Sequence, residues 1–178
     1  MLFKNEMLNR DYFYTYSEPT EAPQNFSMLQ VVSGNAAMVS WIEVAPESVR
    51  GHFRGYEIQT WVEGDEENVK EILMKSNTSK ALVDKFTPDA VNVARILAFN
   101  DRFNGPNSNT ITFETPEGLP STVQSLQAFP LGSSAFWLQW KRPLLTNGKL
   151  QGYRIYYEVV KGTELGPRQE REPRIQDP

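Results

Sequence analysis

The chain has 178 residues, enough for one or two domains of roughly 100 residues, with 18 Lys and Arg against 22 Asp and Glu for a net charge of −4. That mild acidity, with basic residues scattered, leaves no electrostatic footprint for nucleic acid. The absence of cysteine excludes a disulfide scaffold and thiolate zinc sites, and no run of about 20 apolar residues is present to span a bilayer.

Residues 1–20 are polar and aromatic without a clear period, which predicts a poorly ordered leader or the remnant of a preceding module. Met1-Leu2-Phe3-Lys4-Asn5-Glu6 is broken by charge and is not a secretory signal. Asn25-Phe26-Ser27 then fits the N-glycosylation pattern on the first expected strand, where alternation with Phe26 turns Asn25 to solvent. Ala37, Val39 and Trp41 share one strand face, opposite Met38 and Ser40. Further on, Tyr56, Ile58 and Thr60 alternate with Glu57, Gln59 and Trp61. The acidic run Glu63-Gly64-Asp65-Glu66-Glu67 lacks the ligand spacing of a calcium loop and reads as a solvated hairpin tip. Asn77-Thr78-Ser79 is a second glycosylation pattern, in a polar turn. Ala94, Ile96 and Ala98 alternate with Arg95, Leu97 and Phe99. Helical periodicity is absent, so the fold is expected to be all-β.

If Trp61, Leu97 and Phe99 face away from the core on neighbouring strands, they form an apolar strip on which Arg95 can stack. Two readings stand: cover by loops or an adjacent module, or a surface for a partner.

Pro116-Glu117-Gly118-Leu119-Pro120 reads as a short stiff linker, because each proline fixes φ. Beyond it the chain repeats itself. Val39-Ser40-Trp41 and Gly55-Tyr56-Glu57-Ile58 return as Leu138-Gln139-Trp140 and Gly152-Tyr153-Arg154-Ile155, at spacings of 140 − 41 = 99 and 152 − 55 = 97. Near the end, Arg168, Arg171 and Arg174 interleave with Glu170, Glu172 and Asp177, a solvated pattern rather than a polyanion site.

At these residues the chain resembles fibronectin type III domains, whose pattern puts a Trp on the second strand and Gly-Tyr-x-(Ile/Val) on the third. Phe86-Thr87-Pro88 is similar to the family's Leu-x-Pro corner, and Ala98-Phe99-Asn100 with Gly105-Pro106-Asn107-Ser108 to its ending of strand F and turn to G. Asn92 stands where the family has a tyrosine, leaving the tyrosine-corner hydrogen bond without its phenol. Gly51-His52-Phe53-Arg54-Gly55 and Ala94-Arg95-Ile96-Leu97 go beyond the generic pattern. They resemble the fibronectin type III region of insect neural cell adhesion molecules of the immunoglobulin superfamily.

The resemblance implies tandem β-sandwiches, the first complete over residues 21–115, the linker over 116–120, and the second truncated to its N-terminal part over 121–178. Trp41, Tyr56, Ile58 and Ile96 are expected to centre the first core, and Trp140 and Tyr153 the second. Asn25 and Asn77 become glycan acceptors. The implied function is that of non-catalytic spacer and interaction modules in neural cell-cell adhesion and axon guidance. The implied partners are adhesion proteins, homophilic or heterophilic. The implied location is the extracellular side of the plasma membrane in a single-pass protein whose anchor lies outside this sequence. Two other readings remain open: the ligand-sensing stalk of a receptor tyrosine phosphatase or kinase, and an intracellular structural array. No catalytic site, cofactor or metal is expected, since His52 is the only histidine and no cysteine exists.

Overall fold

Regular structure is almost entirely β, as the period-two alternation requires. The structure, a computed structural model, describes residues 17–171. In chain order the first strands are β1 (Gln24–Ser33), β2 (Ala36–Ile42), β3 (Phe53–Val62), β4 (Lys70–Lys75), β5 (Lys80–Val83), β6 (Val91–Asn100), β7 (Asn104–Asn107) and β8 (Ile111–Glu114). One 3-10 turn, Pro46–Val49, separates β2 from β3. One sheet has the order β1-β2-β5; the other runs β4-β3-β6-β7, with β8 also pairing β6.

The inward side chains of the two sheets meet in one core. Phe26, Val39, Trp41, Tyr56, Ile58, Val83, Phe86, Ile96 and Phe113 are all buried there. Trp41 and Phe53 meet Tyr56 edge-on, with ring centroids 5.3 and 5.2 Å apart, and Phe86 meets Phe113 at 4.8 Å. Edge-on packing sets a positive ring rim against a negative face. The amide of Val44 donates to Tyr56 Oη at 3.3 Å, so the buried phenol is not left unpaired.

Strand β1 is bent rather than straight. Its register against β2 shifts between Gln24 and Ser27, where Asn25 adopts a left-handed φ of 51°, a conformation that asparagine tolerates. Within the bulge the side chain of Asn109 takes up the backbone groups of Phe26. Its Oδ1 accepts from the Phe26 amide at 3.2 Å, and its Nδ2 donates to the Phe26 carbonyl at 2.9 Å.

The segment expected to be loose at residues 17–20 is tied to this sandwich: the Thr20 amide donates to the Ser48 carbonyl at 2.9 Å, and Asn100 Nδ2 donates to the Ser17 carbonyl at 2.8 Å. Residues 1–16 of the expected leader lie outside the described residues.

After the linker come β9 (Gln124–Leu131) and β10 (Ala135–Lys141), an antiparallel hairpin that reproduces the register of the first from Gln24 to Met28 but not its later shifts. Gln24 opposite Ile42 and Met28 opposite Val39 become Gln124 opposite Lys141 and Ala128 opposite Leu138. Ser125, 100 positions after Asn25, repeats the left-handed bulge with φ 52°. The chain divides into two compact units between Gly148 and Lys149. The hairpin therefore groups with the first sandwich, whereas the sequence places the boundary at the linker.

In the second unit β11 (Ile155–Tyr157) pairs with β14 (Gln169–Arg171), and β12 (Val160–Lys161) with β13 (Glu164–Leu165). The strand expected at Tyr153 from the repeat of the Gly-Tyr pattern begins only at Ile155. Tyr157 Oη donates to Gln169 Oε1 at 2.5 Å, and Arg168 Nε to Glu158 Oε1 at 3.1 Å. Glu172, Arg174 and Asp177 of the interleaved charges lie outside the described residues.

Candidate interaction surface

The outer face of the β4-β3-β6-β7 sheet carries the strip expected from alternation. Cross-strand pairing places Glu57 between Leu73 and Leu97, Gln59 between Glu71 and Arg95, and Trp61 opposite Val93. Polar links run along it: Gln59 Nε2 donates to Glu57 Oε1 at 2.7 Å, and Arg95 Nε donates to Gln59 Oε1 at 2.8 Å. The Arg95 guanidinium lies 5.3 Å from the Trp61 ring centroid, within range of a cation–π contact.

One member of the strip is not available to a partner. Leu97 is only 4% exposed, because β6 is a central strand and cross-strand residues flank it on both sides, Glu57 and Asn107. Alternation assigns a residue to a face, not to the open part of that face. Trp61, Arg95 and Phe99 are half-buried. The open apolar residue is instead Leu73 on edge strand β4, 66% exposed. Sequence periodicity missed it because Ile72-Leu73-Met74 is a continuous apolar run. Beside Leu73 and Phe99, Arg54, Lys75, Arg102 and Phe103 line an open groove of about 600 Å³. Arg54 is held there by Asp101, which also faces His52 Nδ1 at 3.5 Å.

Both glycosylation patterns present exposed asparagines: Asn25 at the β1 bulge and Asn77 in the turn between β4 and β5. The residues expected to centre the first core, Trp41, Tyr56, Ile58 and Ile96, are buried together. Trp140 and Tyr153 are only half-buried. Tyr153 also precedes its strand rather than lying in it. The acidic run from Glu63 to Glu67 is exposed, with a turn closed by the Asp65 amide on the Val62 carbonyl at 2.9 Å.

Two asparagines do work that composition alone does not announce. Asn92 is 1% exposed and holds the corner before β6 with its amide. Its Oδ1 accepts from the Thr87 amide at 2.8 Å; its Nδ2 donates to the Thr87 carbonyl at 2.9 Å and to Thr115 Oγ1 at 3.1 Å. The corner thus keeps a side-chain tie to backbone with an amide in place of the phenol. Asn100 binds the Val49 carbonyl at 2.9 Å and accepts from the Phe103 amide at 2.9 Å, closing the turn to β7.

Among the described residues no group of three or more His, Asp or Glu side chains is placed to hold a metal. No helix among them is long and apolar enough to cross a membrane.

Two packed antiparallel sheets in this strand order, with the tryptophan of β2 on the tyrosine of β3, are the architecture of the family whose description, fibronectin type III domain, matches residues 21–114. The chain belongs to the fibronectin type III family. It is 57% identical to Neuroglian of Drosophila melanogaster over 161 residues, which cover 90% of this chain and 12% of that protein. It is 32% identical to Neural cell adhesion molecule L1.1 of Danio rerio over 158 residues, 82% of this chain and 13% of that protein. With human Neural cell adhesion molecule L1 the identity is 28% over 154 residues, 83% of this chain and 12% of that one. The chain thus spans about an eighth of the length of these relatives. Among solved structures it is similar to the third fibronectin III domain of human KIAA0343 protein, with TM-score 0.51 and 27% identity, covering 59% of this chain and 89% of that one.

Proposed function

We propose that this chain is part of the ectodomain of a neural cell adhesion molecule, in which fibronectin type III modules act as non-catalytic spacer and interaction units. The observation that carries this reading is the 57% identity to Neuroglian over 90% of the chain. Residues 21–115 form one module, 116–120 the linker, and 121–178 correspond to the early strands of a second, as the repeated hairpin register supports. The partners are adhesion proteins, engaged homophilically or heterophilically through the whole ectodomain. The site is the outer face of the plasma membrane, with the anchor supplied by a segment outside this sequence. Asn77 and Asn25 carry N-glycan, since both are exposed in polar surroundings. The half-buried Trp61, Arg95 and Phe99, with exposed Leu73, are the part of the sheet open to an adhesive contact.

The test is topological. An antibody raised against residues 17–171 is expected to stain unpermeabilised neural cells, and amidase removal of N-glycan from the secreted chain is expected to lower its mass, less so after Asn77→Gln. Staining that requires permeabilisation, together with an unchanged mass, would discard the ectodomain reading in favour of an intracellular array.

A further inference from the structure

The linker between the first sandwich and the β9–β10 hairpin is gripped from both sides. On the first side, the Asp89 amide donates to the Pro116 carbonyl at 3.1 Å. A Cβ on Gly118 would lie 3.1 Å from Pro88, and one on Gly34 would lie 2.8 Å from the Gly118 Cα. On the other side, the Gly118 amide donates to the Asn147 carbonyl at 2.6 Å, and Asn147 Nδ2 returns to the Leu119 carbonyl at 2.6 Å. Two residues further on, the Ser121 amide donates to the Leu145 carbonyl at 2.8 Å. A Cβ on Gly118 would also sit 3.2 Å from that of Asn147. Contacts of 3.1–3.2 Å on both sides of one glycine mean that a side chain there must displace Pro88 or Asn147 by a few tenths of an ångström.

The chain uses this device twice. Asn147 has a left-handed φ of 51° and lies five residues before the second Gly-Tyr pair, 152 − 147 = 5. Arg50, with φ 52°, lies five before the first, 55 − 50 = 5. The Arg50 carbonyl likewise accepts an incoming amide, that of Ser17 at 3.4 Å, while the Thr20 amide reaches the Ser48 carbonyl at 2.9 Å. Both left-handed residues turn a carbonyl toward the arriving chain segment, and they do so at the same spacing from the Gly-Tyr pair.

We infer that the left-handed loop residue ahead of each Gly-Tyr pair is a linker clamp, and that Gly118 and Asn147 fix the angle between the first sandwich and the following hairpin. Proline alone stiffens the linker but leaves the torsions outside the prolines free to swing; the paired hydrogen bonds remove that freedom. A fixed angle is useful only if the modules serve as spacers, the reading given above. Spin-label distances read the angle alone and can fail while adhesion stands.

Because the chain has no cysteine, labels at Lys80→Cys on β5 and Gln139→Cys on β10, both exposed, report one distance without background. The intact chain is expected to give a single narrow distribution. Gly118→Val is expected to widen or shift it while amide resonances of β3 and β6 stay in place. Asn147→Gly, which permits the left-handed backbone but removes the bond to Leu119 and loosens residue 147 itself, is expected to widen it less. A broad distribution in the unsubstituted chain would overturn the clamp, as would a narrow, unshifted one in the Gly118 variant. If Gly118→Val does not fold, the Asn147→Gly distribution decides: widening supports the clamp and no change refutes it.

Discussion

Asn92 shows how one side chain replaces another at a structural corner. A tyrosine at this point of a fibronectin type III domain reaches back to backbone through one hydroxyl; the amide here serves the Thr87 amide, the Thr87 carbonyl and Thr115 Oγ1 together. Asn92→Ala strips a buried donor and acceptor of their partners, and the expected loss is about 2–3 kcal/mol, read as a lowered denaturant midpoint with an unchanged slope. Tyr56 is a second case. Burial pushes its phenol above the ordinary value of 10.0, and the Val44 amide bond pulls in the opposite direction without reversing the shift. A folded pKa above the unfolded one means that its contribution to stability is intact below about pH 10 and is lost as pH rises through the folded value. Tyr56→Phe is therefore expected to cost about 1 kcal/mol at neutral pH, from the unpaired Val44 amide, and to flatten the alkaline decline. A decline of equal steepness in the variant would assign that decline to other groups.

At the level of strands, the alternation in β3 and β6 divides their residues correctly between the two faces, and it places Trp61 and Arg95 together on the outer one. It does not show that Leu97 is covered there, because cover comes from β3 and β7 on either side of it. The two tryptophans of the first sandwich measure the difference between faces. Trp41→Ala empties the centre of the core and is expected to cost about 3–5 kcal/mol, whereas Trp61→Ala loses a half-exposed ring and one cation–π contact of about 0.5–1 kcal/mol. Thermal or denaturant unfolding of both variants checks the ordering; equal losses would show that the outer strip is as tightly packed as the core. Legibility failed at Leu73, where three consecutive apolar residues hide the alternation, and at Tyr153, which the repeat places on a strand but which lies ahead of the hydrogen-bonded pairing.

Over the whole molecule, cover is unevenly distributed. The first sandwich encloses a core of apolar residues between its two sheets, while the β9–β10 hairpin exposes Leu126, Phe129, Leu131, Phe136 and Trp137. A two-stranded ribbon with its apolar residues open is marginal by itself and prone to association. Amide exchange across residues 126–138 is accordingly expected to be faster than across 39–113; equal protection would mean that something covers the hairpin in solution. The sequence by itself determined the all-β class, the repeat, the core around Trp41 and Tyr56 and the family, because each rests on the spacing of residues along a strand or between copies. Only the tertiary structure decided the burial of Leu97, the amide that holds the corner at Asn92, and the grip on Gly118 from two sides. Those depend on which segments distant in the chain come to lie against a residue, and local periodicity carries no record of that.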